Sequence, residues 1–206
     1  MSRCVIIGGA DIYNYDRMKS YLTSEDFYIF CDSGLKHLSS LGVKADLIVG
    51  DFDSHPKPDT EGEMIVLPCE KDDTDTMFAV KEGIKRGFEE FLLLGVVGGR
   101  LDHTLGNVSA LLYLNSRGKK AALVDDYSEI TVVAQEEEFV EDSFQYFSLL
   151  NISGVAKGIM VENAKYPLKD AEITCEYPYG ISNEAERGKR AKVLVKEGRL
   201  LLVKVF

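Results

Sequence analysis

Short apolar runs alternate with amphipathic stretches from Cys4 to Val124. The runs are Cys4–Gly9, Phe27–Cys31, Asp46–Gly50, Met64–Leu67, Phe91–Val97 and Ala121–Val124. Nearly all are followed by a turn or a polar cluster, which is typical of strands buried on both faces of a parallel sheet. Apolar residues at helical spacing predict helices over Thr74–Gly87 and Asp102–Arg117. This alternation predicts an α/β domain, with an open, mostly parallel sheet and flanking helices.

The pattern changes near Asp126–Glu129. Six further runs read as strands: Glu129–Ala134, Phe144–Ile152, Gly158–Glu162, Ala171–Tyr177, Ala191–Lys196 and Arg199–Phe206. Short polar or glycine turns join them, which predicts a smaller antiparallel β-sandwich. The last two runs are predicted to form a hairpin that turns at Glu197–Gly198. We therefore divide the chain into an α/β domain, residues 1–126, and a β-sandwich domain, residues 127–206.

Composition narrows the class of protein. With 206 residues, 45% of them hydrophobic, the chain can build one large core or two small ones. Its net charge of -10 argues against nucleic-acid binding, but not against a nucleotide, because cations can bridge carboxylates to phosphates.

The N-terminal apolar run is too short for a signal peptide, and no run approaches the roughly 20 residues that span a membrane. Four cysteines without a CxxC pair predict reduced, mostly buried thiols. We expect a soluble, cytoplasmic protein without membrane or nucleic-acid partners.

Acidic residues follow the predicted strands. They form four clusters: Asp32; Asp51 and Asp53; Asp72, Asp73 and Asp75; and Asp102. Because the carboxyl ends of parallel strands line the ligand crevice, these carboxylates should converge there. Converging carboxylates repel each other unless a cation compensates them, and Mg²⁺ prefers oxygen ligands. The alternative is a helix cap or turn, above all at Asp75, where Thr74 or Asp73 could cap the helix. It is weaker for Asp51 and Asp53, which lie two residues apart and share a face.

Two glycine pairs, Gly8–Gly9 and Gly98–Gly99, also follow predicted strands. Glycines allow backbone amides to approach phosphate oxygens, and a helix N-terminus after the loop favours anions. Arg100 adds a forked donor that matches a phosphate. His103 could hydrogen-bond to phosphate or ribose, or could cap the helix. Neither loop matches GxxxxGK[ST] or GxGxxG. We predict phosphate binding at Gly9 and Gly98–Gly99.

Five segments in this order resemble the thiamine pyrophosphokinase family: CDSGLKHL, KADLIVGDFDS, EKDDTDTMFA, GVVGGRLDHTLGNV and GISNE. The resemblance implies an N-terminal α/β domain and a C-terminal β-sandwich. It implies transfer of pyrophosphate from ATP to thiamine with Mg²⁺, giving thiamine diphosphate and AMP. It also implies a homodimer whose active sites use both subunits. The alternatives are another Mg²⁺-dependent phosphotransferase or phosphohydrolase, and a non-catalytic sensor of nucleotide or thiamine.

The resemblance also implies site residues. They are metal and phosphate ligands at Asp32, Asp51, Asp53 and Asp75, a nucleotide-binding loop with Arg100, Asp102 and His103, and a thiamine motif with Ser182 and Asn183. Asp53 and Asp75 are the candidates for accepting the hydroxyl proton of thiamine. Some family members place a tryptophan near the thiamine ring, and this chain has none. A tyrosine or phenylalanine is expected to replace it, or the ring is held differently.

The predicted C-terminal hairpin bears on assembly. It would end in the apolar sequence LLVKVF, and an apolar edge strand needs a cover. A second copy of the chain is one cover, and the α/β domain of the same chain is the other. The family resemblance favours the homodimer.

Overall fold

The computed structural model describes residues 3–52, 63–68, 72–152 and 154–206. The chain divides into two compact units, Met1–Asp126 and Tyr127–Phe206. None of the helices in the described ranges is long and apolar enough to cross a membrane. Cys4 and Cys31 are buried and Cys175 is exposed, whereas Cys69 lies outside the described residues.

A parallel sheet forms the centre of the first unit. Its strands are β1 (Cys4–Ile7), β2 (Phe27–Cys31), β3 (Leu47–Gly50), β4 (Glu63–Val66), β5 (Glu90–Leu94) and β6 (Lys120–Val124). They lie in the order β4-β3-β2-β1-β5-β6, and every neighbouring pair is parallel. The chain order runs outward from β1 in one direction and from β5 in the other. Open α/β sheets bind ligands at the carboxyl ends of the strands beside such a reversal.

Helices connect these strands. They are α1 (Tyr15–Ser20), a 3₁₀ helix (Asp32–His37) that leads into α2 (Leu38–Leu41), α3 (Asp75–Lys85) and α4 (Leu101–Asn115). The apolar spacing predicted α3 and α4. It did not predict α1 and α2, which are six and four residues long and complete too few turns to show a period.

The start of α3 has a defined cap. The Met77 amide donates to the hydroxyl of Thr74 at 3.2 Å, so Thr74 is the N-cap and Asp75 is the first helical residue. Asp73 accepts hydrogen bonds on both carboxylate oxygens from the ammonium group of Lys81, at 2.6 and 2.7 Å. Of the two proposed caps, Thr74 is therefore the one that is used.

The second unit is a β-sandwich. Its strands are β7 (Ser128–Val133), β8 (Glu138–Val140), β9 (Tyr146–Leu150), β10 (Val155–Glu162), β11 (Leu168–Thr174), β12 (Gly180–Asn183), β13 (Ala191–Leu194) and β14 (Leu200–Val205). Antiparallel pairing gives the orders β12-β9-β14-β7 and β11-β10-β13-β8. Apolar residues of both sheets, among them Phe147, Ile159 and Leu202, form one core. The predicted fold class is confirmed.

The predicted C-terminal hairpin is wrong. β13 pairs with β10 and β8, whereas β14 pairs with β7 and β9. The chain crosses from one sheet to the other between them, so Val193 and Val195 face Leu200 and Leu202 across the core. Alternating apolar residues in β13 and β14 are compatible with packing across the sandwich core as well as with pairing in a single sheet. Since β14 has a neighbour on each side, it is not the exposed edge that was expected to need a cover.

Candidate active site

Two loops meet where the strand order of the first unit reverses. A β-carbon added to Gly8 would lie 2.7 Å from the carbonyl oxygen of Gly95, and one added to Gly95 would lie 2.6 Å from the oxygen of Gly8. The Ala10 amide also donates to the Gly95 oxygen at 2.8 Å. The loops after β1 and β5 are therefore in direct backbone contact, which is possible only because both contact residues are glycines.

The loop after β2 packs against the loop after β1. A β-carbon on Gly34 would lie 2.3 Å from the carbonyl oxygen of Ile7, and one on Gly9 would lie 1.9 Å from the hydroxyl oxygen of Ser33. Gly9 was predicted to bind phosphate. The structure gives this glycine a packing role, and its contact with phosphate stays a prediction.

Asp32 and Asp51 begin the loops of two neighbouring strands. A β-carbon on Gly50, the last residue of β3, would lie 2.9 Å from the β-carbon of Asp32, and Asp51 follows Gly50 directly. Asp32 has a φ of 34° and Phe52 one of 52°, in the left-handed region that non-glycine residues rarely adopt. Such conformations persist where the surrounding structure imposes them, often at functional sites.

These two aspartates suit a magnesium ion. They offer carboxylate oxygens at adjacent strand ends, and Mg²⁺ in proteins commonly uses one or two carboxylates plus substrate phosphates. Among the described residues, no group of three or more His, Cys, Asp or Glu side chains is placed to hold a metal ion. Asp53 lies outside those residues, and Asp75 lies at the start of α3. The full set of four predicted ligands stays a prediction.

Side chains of α4 shape the loop after β5. The Gly98 amide donates to the Thr104 hydroxyl at 3.1 Å, and that hydroxyl donates to the Arg100 carbonyl at 3.1 Å. The buried side-chain amide of Asn107 donates to the Val96 carbonyl at 2.7 Å. Sequence reasoning missed both Thr104 and Asn107. Their polarity within an apolar helix beside a glycine-rich loop was the available sign.

Gly98 and Gly99 differ from the packed glycines. Their φ angles are +106° and +67°, and an added β-carbon would meet nothing within 4 Å on either residue. The Gly98 amide is used within the loop by Thr104. Within the described part of the chain, the Gly99 amide has no protein acceptor, so of these two predicted phosphate donors it is the one left available.

Arg100 forms a two-pronged ion pair with Asp102 at the start of α4. The guanidinium Nη2 lies 2.6 Å from Oδ2 of Asp102, and Nε lies 3.2 Å from Oδ1. The Arg100 hydrogen bonds lower the pKa of Asp102 to about 2, although both side chains are exposed to screening by solvent. A phosphate that binds Arg100 would compete with this carboxylate. His103 is exposed in the first turn, and because α4 begins at Leu101, the alternative that His103 is the N-cap is wrong.

A buried histidine supports the loop after β1. Nε2 of His37 donates to the Ala10 carbonyl at 2.8 Å, and the Tyr15 hydroxyl donates to Nδ1 at 2.7 Å. Burial lowers the pKa of His37, which agrees with a neutral ring that accepts at Nδ1. His37 lies in one of the segments that carry the family resemblance, but it was not predicted as a site residue.

The motif in the second unit lies on β12. The Ser182 amide donates to the Ser148 hydroxyl at 3.0 Å. The buried side-chain amide of Asn183 accepts from the Tyr166 amide at 3.0 Å and donates to the Tyr166 carbonyl at 2.8 Å. Asn183 therefore fixes the backbone of Tyr166, whose ring is exposed. Tyr166 was not among the predicted residues. Direct contact of Ser182 and Asn183 with thiamine stays a prediction.

Comparison with known proteins bears on both units. A model of the thiamin pyrophosphokinase catalytic domain matches residues 18–123, and one of the thiamin pyrophosphokinase vitamin B1 binding domain matches residues 129–200. Thiamine pyrophosphokinase of Bacillus subtilis (strain 168) is 27% identical over 175 residues, which cover 81% of this chain and 82% of the relative.

Solved structures agree in fold. Thiamine pyrophosphokinase from Bacillus subtilis superposes with a TM-score of 0.86 at 24% identity, over 99% of each chain. The enzyme from Geobacillus thermodenitrificans gives 0.83 at 26% identity, over 98% of this chain and 97% of that one. Yeast thiamin pyrophosphokinase gives 0.80 at 15% identity, over 100% of this chain and 86% of that one. The catalytic-domain match alone covers about half of the residues, and the chain therefore belongs to the thiamine pyrophosphokinase family.

Proposed function

We propose that this chain transfers the pyrophosphoryl group of ATP to the hydroxyl group of thiamine, producing thiamine diphosphate and AMP with the help of Mg²⁺. Family membership supports the reaction. The structural observation that carries the proposal is the row of close backbone contacts that brings the glycine-rich loops and two aspartates to one edge of the sheet.

The phosphate side of the site lies on the loop after β5. The Gly99 amide and the N-terminus of α4 present donors and a favourable dipole for an anion. Arg100 adds a forked cation, and in our proposal it exchanges Asp102 for the triphosphate when ATP binds. His103 is exposed in the same turn, and in our proposal it donates to phosphate or ribose.

The metal side lies on the loops after β2 and β3. Asp32 and Asp51 would hold the ion, and Asp53 and Asp75 complete the proposed set. Magnesium bound there would neutralise the charge of the phosphate oxygens during the transfer. The close approach of Gly50 to Asp32 supports this assignment, because it fixes the two strand ends beside each other.

The transfer is one displacement at phosphorus. The hydroxyl oxygen of thiamine forms a bond to the β-phosphorus, and the bond from that phosphorus to the oxygen it shares with the α-phosphorus breaks. AMP leaves with the electron pair. The hydroxyl proton passes to a carboxylate, for which Asp53 and Asp75 are the candidates. Positioning and charge stabilisation supply most of the catalysis in such transfers.

The thiamine side lies on the second unit. We infer that Tyr166 supplies the aromatic ring that tryptophan supplies in other family members, since its ring is exposed and Asn183 fixes its backbone. Ser182 lies next to Asn183 on the same strand. Its φ is 57°, and its backbone amide donates to the Ser148 hydroxyl.

Assembly and location belong to the proposal as well. Leu101 and Leu105 are 72% and 58% exposed and lie one turn apart on α4. Exposed large apolar side chains in a pair favour a protein contact, and a second copy of the chain would cover them. We propose a homodimer that acts in the cytoplasm. Sedimentation equilibrium should give about twice 22.9 kDa, and a monomeric mass would remove the dimer.

The experiment that tests the function is an AMP-release assay with ATP and Mg²⁺, with and without thiamine. AMP and thiamine diphosphate should appear in equal amounts, and only when thiamine is present. Release of AMP or phosphate without thiamine would favour a phosphohydrolase instead. Binding of both substrates without turnover would favour a sensor.

A further inference from the structure

Three exposed side chains precede the Ser182–Asn183 motif at alternating positions. Tyr177 is 67% exposed, Tyr179 53% and Ile181 49%. The rings of the two tyrosines lie 6.3 Å apart between centroids with an interplanar angle of 25°, so they form a stacked pair. Large apolar side chains grouped on a surface often mark a binding site. The proposed reaction and the contacts described above give these residues no role.

The backbone that carries this pair is held in place. The Tyr179 amide donates to the Tyr177 carbonyl at 2.8 Å, which closes a tight turn around Pro178. Gly180 then enters β12, pairing with Leu149, where an added β-carbon would lie 2.6 Å from the Leu149 carbonyl oxygen. Proline and pairing both restrict the segment, so the two rings are presented at a defined place beside the motif.

The electrostatics of the segment favour a cation. The faces of aromatic rings attract positive charge through their quadrupole. Glu176 precedes the pair, and its pKa is lowered by a hydrogen bond from its own backbone amide and by the side chain of Thr174. An ionised carboxylate at neutral pH therefore directly precedes the stacked pair in the sequence.

We propose that Tyr177 and Tyr179 form a further aromatic surface, in addition to Tyr166, on which this chain receives the positively charged ring of thiamine, next to Ser182. The inference rests on the proposed function and deepens it. A flat aromatic cation can stack on the tyrosine rings and also be attracted by the Glu176 carboxylate, whereas an uncharged ring can only stack. The tyrosines are positioning and specificity residues, and the phosphoryl transfer takes place without them.

The test uses the full chain and steady-state kinetics. The double variant Tyr177→Ala/Tyr179→Ala should raise the KM for thiamine roughly tenfold, from the loss of ring contacts with the cation. The KM for ATP should not change. Tyr177→Phe/Tyr179→Phe keeps both rings and should stay near the wild type. Phe139→Ala removes an exposed ring from β8, in the other sheet, and is the matched control.

An uncharged analogue of thiamine distinguishes recognition of the positive charge from apolar packing on the tyrosine rings. An analogue with an uncharged thiophene ring in place of the thiazolium should bind the wild type several-fold more weakly than thiamine does, and the double Ala variant should lose that preference. Isothermal titration with thiamine measures the same surface without ATP. It therefore gives a result even if the wild type shows no turnover, which is how failure of the proposed function would appear.

Two results would overturn the inference. One is a double Ala variant that keeps the wild-type thiamine affinity and charge preference. The other is a double Ala variant that sediments as a monomer from a dimeric wild type, since the pair would then be a subunit contact. Unchanged circular dichroism and Tm would show that the variants are folded.

Discussion

The glycines at the carboxyl edge of the parallel sheet fall into two regions with opposite surroundings. Gly8, Gly34 and Gly50 are packed so closely that an added β-carbon would lie within 3 Å of neighbouring atoms. Gly98 and Gly99 have positive φ angles and open space around them. In the first region glycine is needed because strand ends touch, and in the second because the backbone turns. Glycine thus permits close contact between strand ends in the first region and a positive φ in open space in the second.

The largest effect should come from filling the packed region. In Gly34→Ala the new β-carbon would lie 2.3 Å from the Ile7 carbonyl oxygen, a backbone atom that cannot rotate away. We expect a loss of about 3 kcal/mol or more in the free energy of unfolding, measured with urea. Gly106→Ala in α4 is the control, since nothing lies within 4 Å and alanine favours helices. Equal stabilities of the two variants would contradict the close packing.

Asp51→Asn should leave the packing intact and remove function. Loss of one carboxylate beside Gly50 should lower kcat at saturating Mg²⁺ by at least about a hundredfold, equivalent to about 2.7 kcal/mol in the barrier. The Tm should remain close to that of the wild type. Asp170→Asn, an exposed carboxylate on β11, serves as the control. Wild-type turnover in Asp51→Asn would remove this residue from the proposed metal site.

Gly99→Ala sharpens the comparison at the open loop. Its φ of +67° costs an alanine roughly 1 to 2 kcal/mol, without any clash. We expect a moderate fall in unfolding free energy and a several-fold rise in the KM for ATP, with the KM for thiamine unchanged. If the KM for thiamine changed instead, the loop would serve the other substrate.

The smallest expected effect is the change in the pH dependence of stability that His37→Gln causes. Burial holds the pKa of His37 below its ordinary value of 6.5, so the unfolded chain takes up this proton more readily than the folded one. The contribution of His37 to stability is therefore present above pH 6.5 and is lost as the pH falls through the lower folded-state pKa. Glutamine does not titrate. On going from pH 7.5 to 5.5, the Tm of the variant should fall by about 2 °C less than that of the wild type.

Most of the fold could be predicted from burial patterns. β1, β2 and β3 are buried on both faces and therefore appear as continuous apolar runs. β12 has the sequence GISN, which carries no such pattern, and it is a strand because β9 pairs with it. The hairpin prediction was wrong because alternating apolar residues show only that a strand faces a core. They do not show to which of the two sheets the strand belongs.

The site could be predicted only in part. Asp32 and Asp51 were expected together because the ends of neighbouring parallel strands meet, and the structure places them at adjacent strand ends. Thr104 and Asn107 bind backbone groups of the loop before their own helix, and His37 binds a carbonyl of the loop after β1. No sequence pattern shows which carbonyl or amide a loop leaves without a partner. Such supporting residues can be identified only once the conformation of the loops is known.

The interior position of β14 has a consequence for biosynthesis. β14 hydrogen-bonds to β7 along Leu200–Val205 and to β9 along Leu201–Val205. Until these residues have left the ribosome, β7 and β9 lack the strand that joins them, and Leu200 and Leu202 are missing from the core. The second unit should therefore close only after β14 has been synthesised. A chain that stops before Leu200 would lose the middle of one sheet, which harms it far more than the loss of a terminal tail.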